Sequence, residues 1–252
     1  MEYLEVMLKN KEKLFDKFNT ELLSIGDGTL NVTSKAGRHY YIEYNEGSQR
    51  GISKKMDRVY QLARKEYLSK QIDILAEEIE MLSSRKPRIK TYKKIDMEEI
   101  IIKKYSMLDI ERIIYSEKEY EWYRNRASQN PYMKENLRYA TESGLLTRSK
   151  SERFIGDFLE KKRQLYRYEP KIYINGKVIY PDFMILRPDG DVVIWEHLGL
   201  MDNAEYMNRA MIKVQEYRNI GFVQHKNLIC TYEEDLRNKD VLEQIYFRYL
   251  FL

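Results

Sequence analysis

Cysteine is almost missing from this chain. Cys230 stands alone among 252 residues, so no intrachain disulfide can form, and a reducing, cytoplasmic setting is expected. Histidine is nearly as scarce. His39, His225 and Cys230 share no metal-ligand spacing, so each reads as structural rather than as part of a zinc site. No apolar run approaches the roughly 20 residues that a membrane span requires, and no membrane partner is expected. The start, Met1-Glu2-Tyr3-Leu4-Glu5, lacks the basic segment and apolar stretch of a secretory leader. Repeats and low-complexity tracts are missing as well.

Hydrophobic residues make up 43% and charged residues 33%, the balance of a globular chain with a heavily solvated surface. The length suits one large domain or two small ones. A net charge of +4 is compatible with a nucleic-acid partner without demanding one. The 22 tyrosines suit surfaces that stack on bases or pack amphipathically, and their number does not separate the two.

Along the front half, Leu4, Met7, Leu8, Phe15, Phe18 and Leu22 recur at helical spacing and predict a helix over 2–24. Gly26-Asp27-Gly28 stops it. Residues 30–33 and 39–44 alternate like strands about a Lys35-Ala36-Gly37 turn, with a short third strand near Gly51-Ile52. A long helix then runs to about Ser84, capped by Ser53 or Asp57. Six basic residues crowd 85–94 (Arg85, Lys86, Arg88, Lys90, Lys93, Lys94), which marks a linker, either a plain solvated connection or a phosphate-tracking segment. Two or three helices follow from Met97 to about Tyr139, with Trp122 and Tyr123 in their middle.

From Thr147 the pattern changes. A helix over 149–163 precedes a strand over 166–174, and Asn175-Gly176 is a strong two-residue hairpin signal. A second strand, 178–186, is apolar on both faces and therefore central. A third covers 192–197, a helix covers 203–220 and is closed by Gly221, a strand covers 228–231, and a helix covers 233–250. The expected fold class is α+β. Residues 1–146 form an N-terminal, mainly helical region bearing a small β-hairpin sheet, and 147–252 form one sheet flanked by helices.

The turn between the second and third strands fixes their register. If Pro188-Asp189-Gly190 is a three-residue loop with Gly190 in the left-handed position, Arg187 faces Asp191. Asp182 and Glu196 are then directly opposed on one face of neighbouring strands, with β-carbons roughly 4.5–5.5 Å apart, where like charges repel. The arrangement is costly unless a cation is shared. A divalent metal held by Asp182 and Glu196 is one solution, and Mg²⁺ or Mn²⁺ suit two carboxylates and retained waters. Protonation of one carboxyl, or pairing with a base such as Lys213, is the other.

Tyr180-Pro181-Asp182-Phe183, then Ile194-Trp195-Glu196-His197, after a helix bearing Glu152, resembles the motif set of the PD-(D/E)xK nuclease superfamily. The expected element order matches that superfamily's restriction-endonuclease-like α-β-β-β-α-β core, over roughly residues 147–232. Arg148-Ser149-Lys150-Ser151-Glu152 and the Trp-Glu-His-Leu-Gly stretch at 195–199 also look like a group of proteins from Gram-positive bacteria and their phages. The resemblance implies a Mg²⁺- or Mn²⁺-dependent phosphodiesterase, with DNA ahead of RNA as substrate. It also implies Asp182 and Glu196 as metal ligands and Glu152 completing the site. The superfamily's lysine should stand at position 198, which is Leu198. Lys213 on the next helix and His197 beside Glu196 are the candidate substitutes, although alternation points His197 to the opposite face. Without a substitute the site is dead, and the chain becomes a binder of nucleic acid or protein on the same fold.

Glu152 also fits a capping box with Ser149, which would spend its carboxylate on the backbone. Glu169 reads as a surface residue first and a further acid second. Arg148 and Lys150 are candidate substrate contacts, and the resemblance implies the same of Gln215 and Tyr217 on the helix that carries Lys213. Nine basic residues against four acids between Arg148 and Lys177 could neutralise flanking phosphates, or form an ordinary solvated face. In the front half, Tyr40, Tyr41 and Tyr44 with Lys54, Lys55, Arg58, Arg64 and Lys65 could contact nucleic acid. They could equally form a scaffold, and the long helix leaves a homodimer open.

Overall fold

A computed structural model describes residues 2–84, 100–125, 128–174, 176–199 and 203–250. The basic stretch 85–94 and Asn175 lie outside the described residues. The protein is mixed α+β and divides into two compact units, Met1–Tyr120 and Glu121–Leu252. No described helix is long and apolar enough to cross a membrane.

In the first unit α1 (Glu2–Ile25) packs along α2 (Met56–Ser83), burying Leu14 and Phe18. Ion pairs Lys11–Glu78 and Arg64–Glu21, at 2.7 and 2.8 Å, stitch the two helices. Between them runs a three-stranded antiparallel meander, β1 (Thr29–Lys35), β2 (Arg38–Asn45) and β3 (Ser48–Gly51). Arg58 donates to the carbonyls of Ile25 and Asp27, and Lys65 to those of Gly26 and Gly28. Cations here satisfy carbonyls at and just beyond the end of α1. Arg64 adds bonds to the carbonyls of Ile113 and Ile114, beside α3 (Ile110–Ile114). Three of the basic residues considered for nucleic acid therefore hold this unit together. Neither Ser53 nor Asp57 caps α2. Ser53 Oγ accepts the Tyr41 N–H at 2.9 Å, and Asp57 pairs with Arg112 at 2.8 Å.

The second unit begins earlier than the 146/147 boundary expected from the sequence. After α4 (Glu117–Arg124), the hairpin β4 (Tyr139–Ala140) and β5 (Leu146–Thr147) lies on α5 (Lys150–Lys161). Glu160 accepts hydrogen bonds from the Thr141 and Ser143 hydroxyls. A β-carbon on Gly156 would meet Thr141 Cγ2 at 2.8 Å, so the close approach requires glycine.

The main sheet has the order β11-β10-β9-β6: β6 (Tyr166–Tyr168), β9 (Phe183–Leu186) and β10 (Val192–His197) antiparallel, and β11 (Leu228–Thr231) parallel to β10. The two long strands expected over 166–174 and 178–186 are each broken. The end of the first and the start of the second form a separate hairpin, β7 (Ile172–Ile174) and β8 (Lys177–Ile179). Pro170 and Pro181 cannot donate to a ladder, and Glu169 takes a left-handed φ of 43°, so the chain leaves the sheet there. The last helix is also interrupted, as α7 (Glu233–Leu236) and α8 (Lys239–Tyr249), with Asn238 capping the second.

Register assigns the faces. Val193 pairs with Ile185 and Trp195 with Phe183, and these odd-numbered side chains bury against Ile155 and Leu159 of α5 and Leu242 and Tyr246 of α8. Ile194 and Leu228 face the other way, towards Tyr217 of α6 (Ala204–Asn219). Helices thus cover both sides. The β9–β10 turn closes with Arg187 N–H on the Asp191 carbonyl at 2.8 Å and Gly190 at φ 92°, as the three-residue loop requires. Asp189 braces it by accepting from the Arg187 guanidinium and the Asp191 N–H.

Replacing Gly190 by alanine should cost about 1–2 kcal/mol of stability, because an L residue is strained at that φ. The position is open, so no steric clash contributes. Urea unfolding measures the loss, and an unchanged midpoint would count against this turn geometry.

Candidate active site

The register that pairs Trp195 with Phe183 places Asp182 opposite Glu196, one step beyond the end of β9. The two carboxyls share the face covered by α6, and backbone groups knit them together. Glu196 Oε1 accepts the Asp182 N–H at 3.2 Å, and Asp182 Oδ2 accepts the His197 N–H at 2.7 Å. Glu196 is 3% exposed through its side chain and Asp182 19%.

A lysine from α6 stands between them. Lys213 Nζ lies 2.8 Å from Glu196 Oε2 and 4.0 Å from Asp182 Oδ1. One turn on, the buried Tyr217 donates its hydroxyl to Glu196 Oε1 at 2.6 Å. The 3.6-residue period explains the pairing, since positions 213 and 217 lie one above the other on a helix. It also explains why Gln215 is elsewhere: two residues on, it is exposed and bonds to Asn219. Gln215 is therefore not brought to the carboxylates. Tyr217 is there, but buried, where it orients Glu196 rather than meeting a substrate.

Electrostatics follow from the crowding. Burial pushes the Asp182 carboxyl well above the ordinary carboxylate range, with Glu196 and then Glu152 adding to the rise. Lys213 and the His197 N–H pull against it without prevailing. Lys213 itself is held above the usual lysine range. Burial lowers it, and Glu196, Asp182 and Glu169 together outweigh that. Tyr206 on α6 is raised by burial and by the same two acids, so its hydroxyl belongs to this neighbourhood. Burial also lifts the Cys230 thiol to about 11, with Glu196 and Asp182 adding to it.

Glu152 does double duty. Ser149 caps α5, accepting the Glu152 N–H at 3.0 Å, and Glu152 Oε2 accepts the Arg148 N–H at 3.0 Å. The same oxygen takes the Tyr168 hydroxyl at 2.5 Å. Glu169, read from the sequence as a surface residue, is buried. Its N–H bonds to the Asp182 carbonyl at 2.9 Å, continuing the β6–β9 pairing onto the site face. Arg148 grips Oε1 at 2.7 Å, and Oε2 is buried with no hydrogen-bond partner among the described residues. Periodicity could have found Glu169: it lies opposite Asp182 as Tyr168 lies opposite Phe183.

Arg148 is not a free phosphate contact. Its remaining donors hold the carbonyls of Met133 and Tyr132 at 2.8 and 2.6 Å. Lys150, at the start of α5, is exposed. Several other basic residues of this stretch are also engaged: Arg153 with Asp157, Lys162 with Glu243, Lys177 with Glu216, and Arg167 stacked 3.9 Å above Trp122.

The His197 side chain points away from the carboxylates, as alternation requires. Its Nδ1 meets Thr231 Oγ1 at 3.2 Å and its Nε2 meets Glu233 Oε1 at 3.1 Å. Trp195 Nε1 donates to the same Thr231 oxygen, and Ser151 to the same Glu233 oxygen. The ring is thus no ligand for a metal at Asp182 and Glu196. Gly199 leaves room for this contact, since a β-carbon there would meet Glu233 Oε1 at 2.9 Å. Leu198, where the superfamily pattern has lysine, is buried and lines a groove with Met207, Ala210 and Val214 that Gln215, Arg218 and Gln224 make partly polar.

Among the described residues no group of three or more His, Cys, Asp or Glu side chains is gathered closely enough to hold a metal. Asp182 and Glu196 are a two-carboxylate pair, and further positions on an ion would fall to water or substrate oxygen. Compared with known proteins, the chain matches no family model, no curated protein and no solved structure.

A carboxyl raised on folding binds its proton more tightly in the native than in the unfolded state. It therefore favours the native state at acid pH and loses that advantage as pH rises through the raised value. Asp182→Asn keeps an oxygen acceptor for the His197 N–H and never ionises. In EDTA the variant should be more stable than the parent at neutral pH, and the gap should close below the ordinary aspartate value of about 3.9. Urea unfolding across that range tests this, and a variant less stable at pH 7 would refute it.

Proposed function

We propose that the second unit is a restriction-endonuclease-like core and that the protein is a metal-dependent nuclease. The observation that carries this reading is the opposed pair Asp182 and Glu196 on one sheet face, with Lys213 Nζ 2.8 Å from one and 4.0 Å from the other. The element order α5, β6, β9, β10, α6, β11 supports it, as does the parallel β11. DNA stands ahead of RNA as substrate by the motif resemblance alone.

The donor set fits Mg²⁺ or Mn²⁺. Both prefer oxygen ligands, and Asp182 and Glu196 offer two opposed carboxyls with the remaining positions left to water or substrate oxygen. Asp182 and Glu196 would hold the ion, which when bound polarises a phosphoryl oxygen and lowers the pKa of water. Tyr217 fixes the orientation of Glu196. The His197 N–H fixes that of Asp182. Lys213 takes the role of the lysine missing at 198, placing positive charge where the phosphodiester gains negative charge.

One observation favours a second reading, a non-cleaving binder of nucleic acid or of a protein on the same fold. Lys213 already supplies a shared cation to the two acids, and the structure is self-consistent without another.

Labelled single- and double-stranded DNA and RNA, incubated with Mg²⁺, Mn²⁺ or EDTA, separate the two. Cleavage should require metal and be abolished in Asp182→Asn. Lys213→Ala should lower the rate about 10²–10³-fold, the scale of losing one preorganised charge-stabilising donor. Binding without cleavage in every metal would overturn the enzyme and leave the binder.

A further inference from the structure

The small sheet of the first unit has a face that the site does not use. Leu30, Tyr41 and Ile52 lie in the core with Val59 and Leu62 of α2, so residues 30, 41 and 43 point inward. The alternate positions 29, 31, 33 and 35 on β1, 38, 40, 42 and 44 on β2, and 49 and 51 on β3 point outward. Eight of these ten are exposed, and Ile42 and Tyr44 are partly so.

Its chemistry is one-sided. None of the ten positions carries an acid, while Lys35 and Arg38, paired across β1 and β2, put two cations at one end. Along the central strand Tyr40, Ile42 and Tyr44 form a stripe, with Tyr40 42% exposed. The Tyr40 and Tyr44 hydroxyls and the Lys35 and Arg38 charges make no hydrogen bond or ion pair among the described residues. The contrast with Arg58, Arg64 and Lys65 is direct, since those are spent on carbonyls and acids of their own unit. A face kept free of acids, with aromatic rings in line and cations at the end, is complementary to a polyanion presenting flat apolar rings.

We infer that the outer face of β1–β3 is a binding platform for single-stranded nucleic acid, with Tyr40 and Tyr44 stacking on unpaired bases and Lys35 and Arg38 meeting the phosphates. A duplex hides its base faces, so only unpaired bases engage the stripe. Sheets that display aromatics on a central strand hold two or three bases in this manner, and stacking tolerates any sequence because every base has a flat face. The platform is independent of hydrolysis at Asp182 and Glu196. It would bring a strand to the protein whether or not the second unit cuts it.

Fluorescence anisotropy with labelled oligo(dT) and oligo(U) 15-mers, in EDTA so that no metal-dependent cleavage intervenes, tests the platform. Binding of either strand should exceed that of a duplex of equal length. Tyr40→Ala and Tyr44→Ala should each weaken it about tenfold or more. Tyr40→Phe and Tyr44→Phe, which keep the ring, should bind like the parent. Lys35→Ala with Arg38→Ala should lower the slope of log affinity against log salt by about 1.4, two phosphate contacts on a single strand. Equal binding of duplex and single strand, or alanine variants that bind like the parent, would overturn the inference. So would self-association of the protein that the Tyr40 and Tyr44 alanine variants abolish, which would make this face a contact between copies.

Discussion

Two carboxyl groups forced face to face are the constraint around which the second unit is arranged. The β9–β10 turn sets Asp182 opposite Glu196, and burial leaves them little water. Everything nearby answers that cost. Glu196 takes three donors, from Asp182 N–H, Tyr217 hydroxyl and Lys213 ammonium. Asp182 takes one backbone donor and, by direction of its pKa, is inclined to keep its proton. Breaking such a buried set by removing one partner is costlier than never having built it, which ties α6 to the sheet through its polar as well as its apolar face.

The Trp-Glu-His-Leu-Gly stretch makes sense as one device. Trp195 and His197 face one side and converge on Thr231, with His197 continuing to Glu233. Glu196 and Leu198 face the other, the first bonded to Lys213 and Tyr217 and the second buried in apolar contact beside α6. Gly199 then clears space for Glu233. Alternation alone divides the stretch into a clamp on one face and a charged centre on the other.

Much of this was legible in the sequence because it rests on short-range rules. Turn chemistry at Pro188-Asp189-Gly190 fixed the register, while Lys213 was nominated through the motif resemblance and its place on the next helix. What escaped depended on where backbone pairing stops. Pro170 and Pro181 were visible, yet the strands around them read as continuous, so the separation of the β7–β8 hairpin from the main sheet was missed and Glu169 was left on the surface. Arg148 looked like a phosphate contact because its acceptors are main-chain carbonyls of Tyr132 and Met133, which no side-chain pattern reveals. Gln215 and Tyr217 were grouped through the motif resemblance, while a helix separates positions two apart and aligns those four apart.

On the proposed reading the opposed acids form a cation-sharing pair open to a divalent ion. Crystals of the protein grown with Mn²⁺ and measured for anomalous scattering test it most directly. A manganese peak is expected within about 2.1 Å of both an Asp182 and a Glu196 oxygen, as hard-cation coordination requires. An empty pair with Lys213 still seated on Glu196 at saturating Mn²⁺ would contradict it.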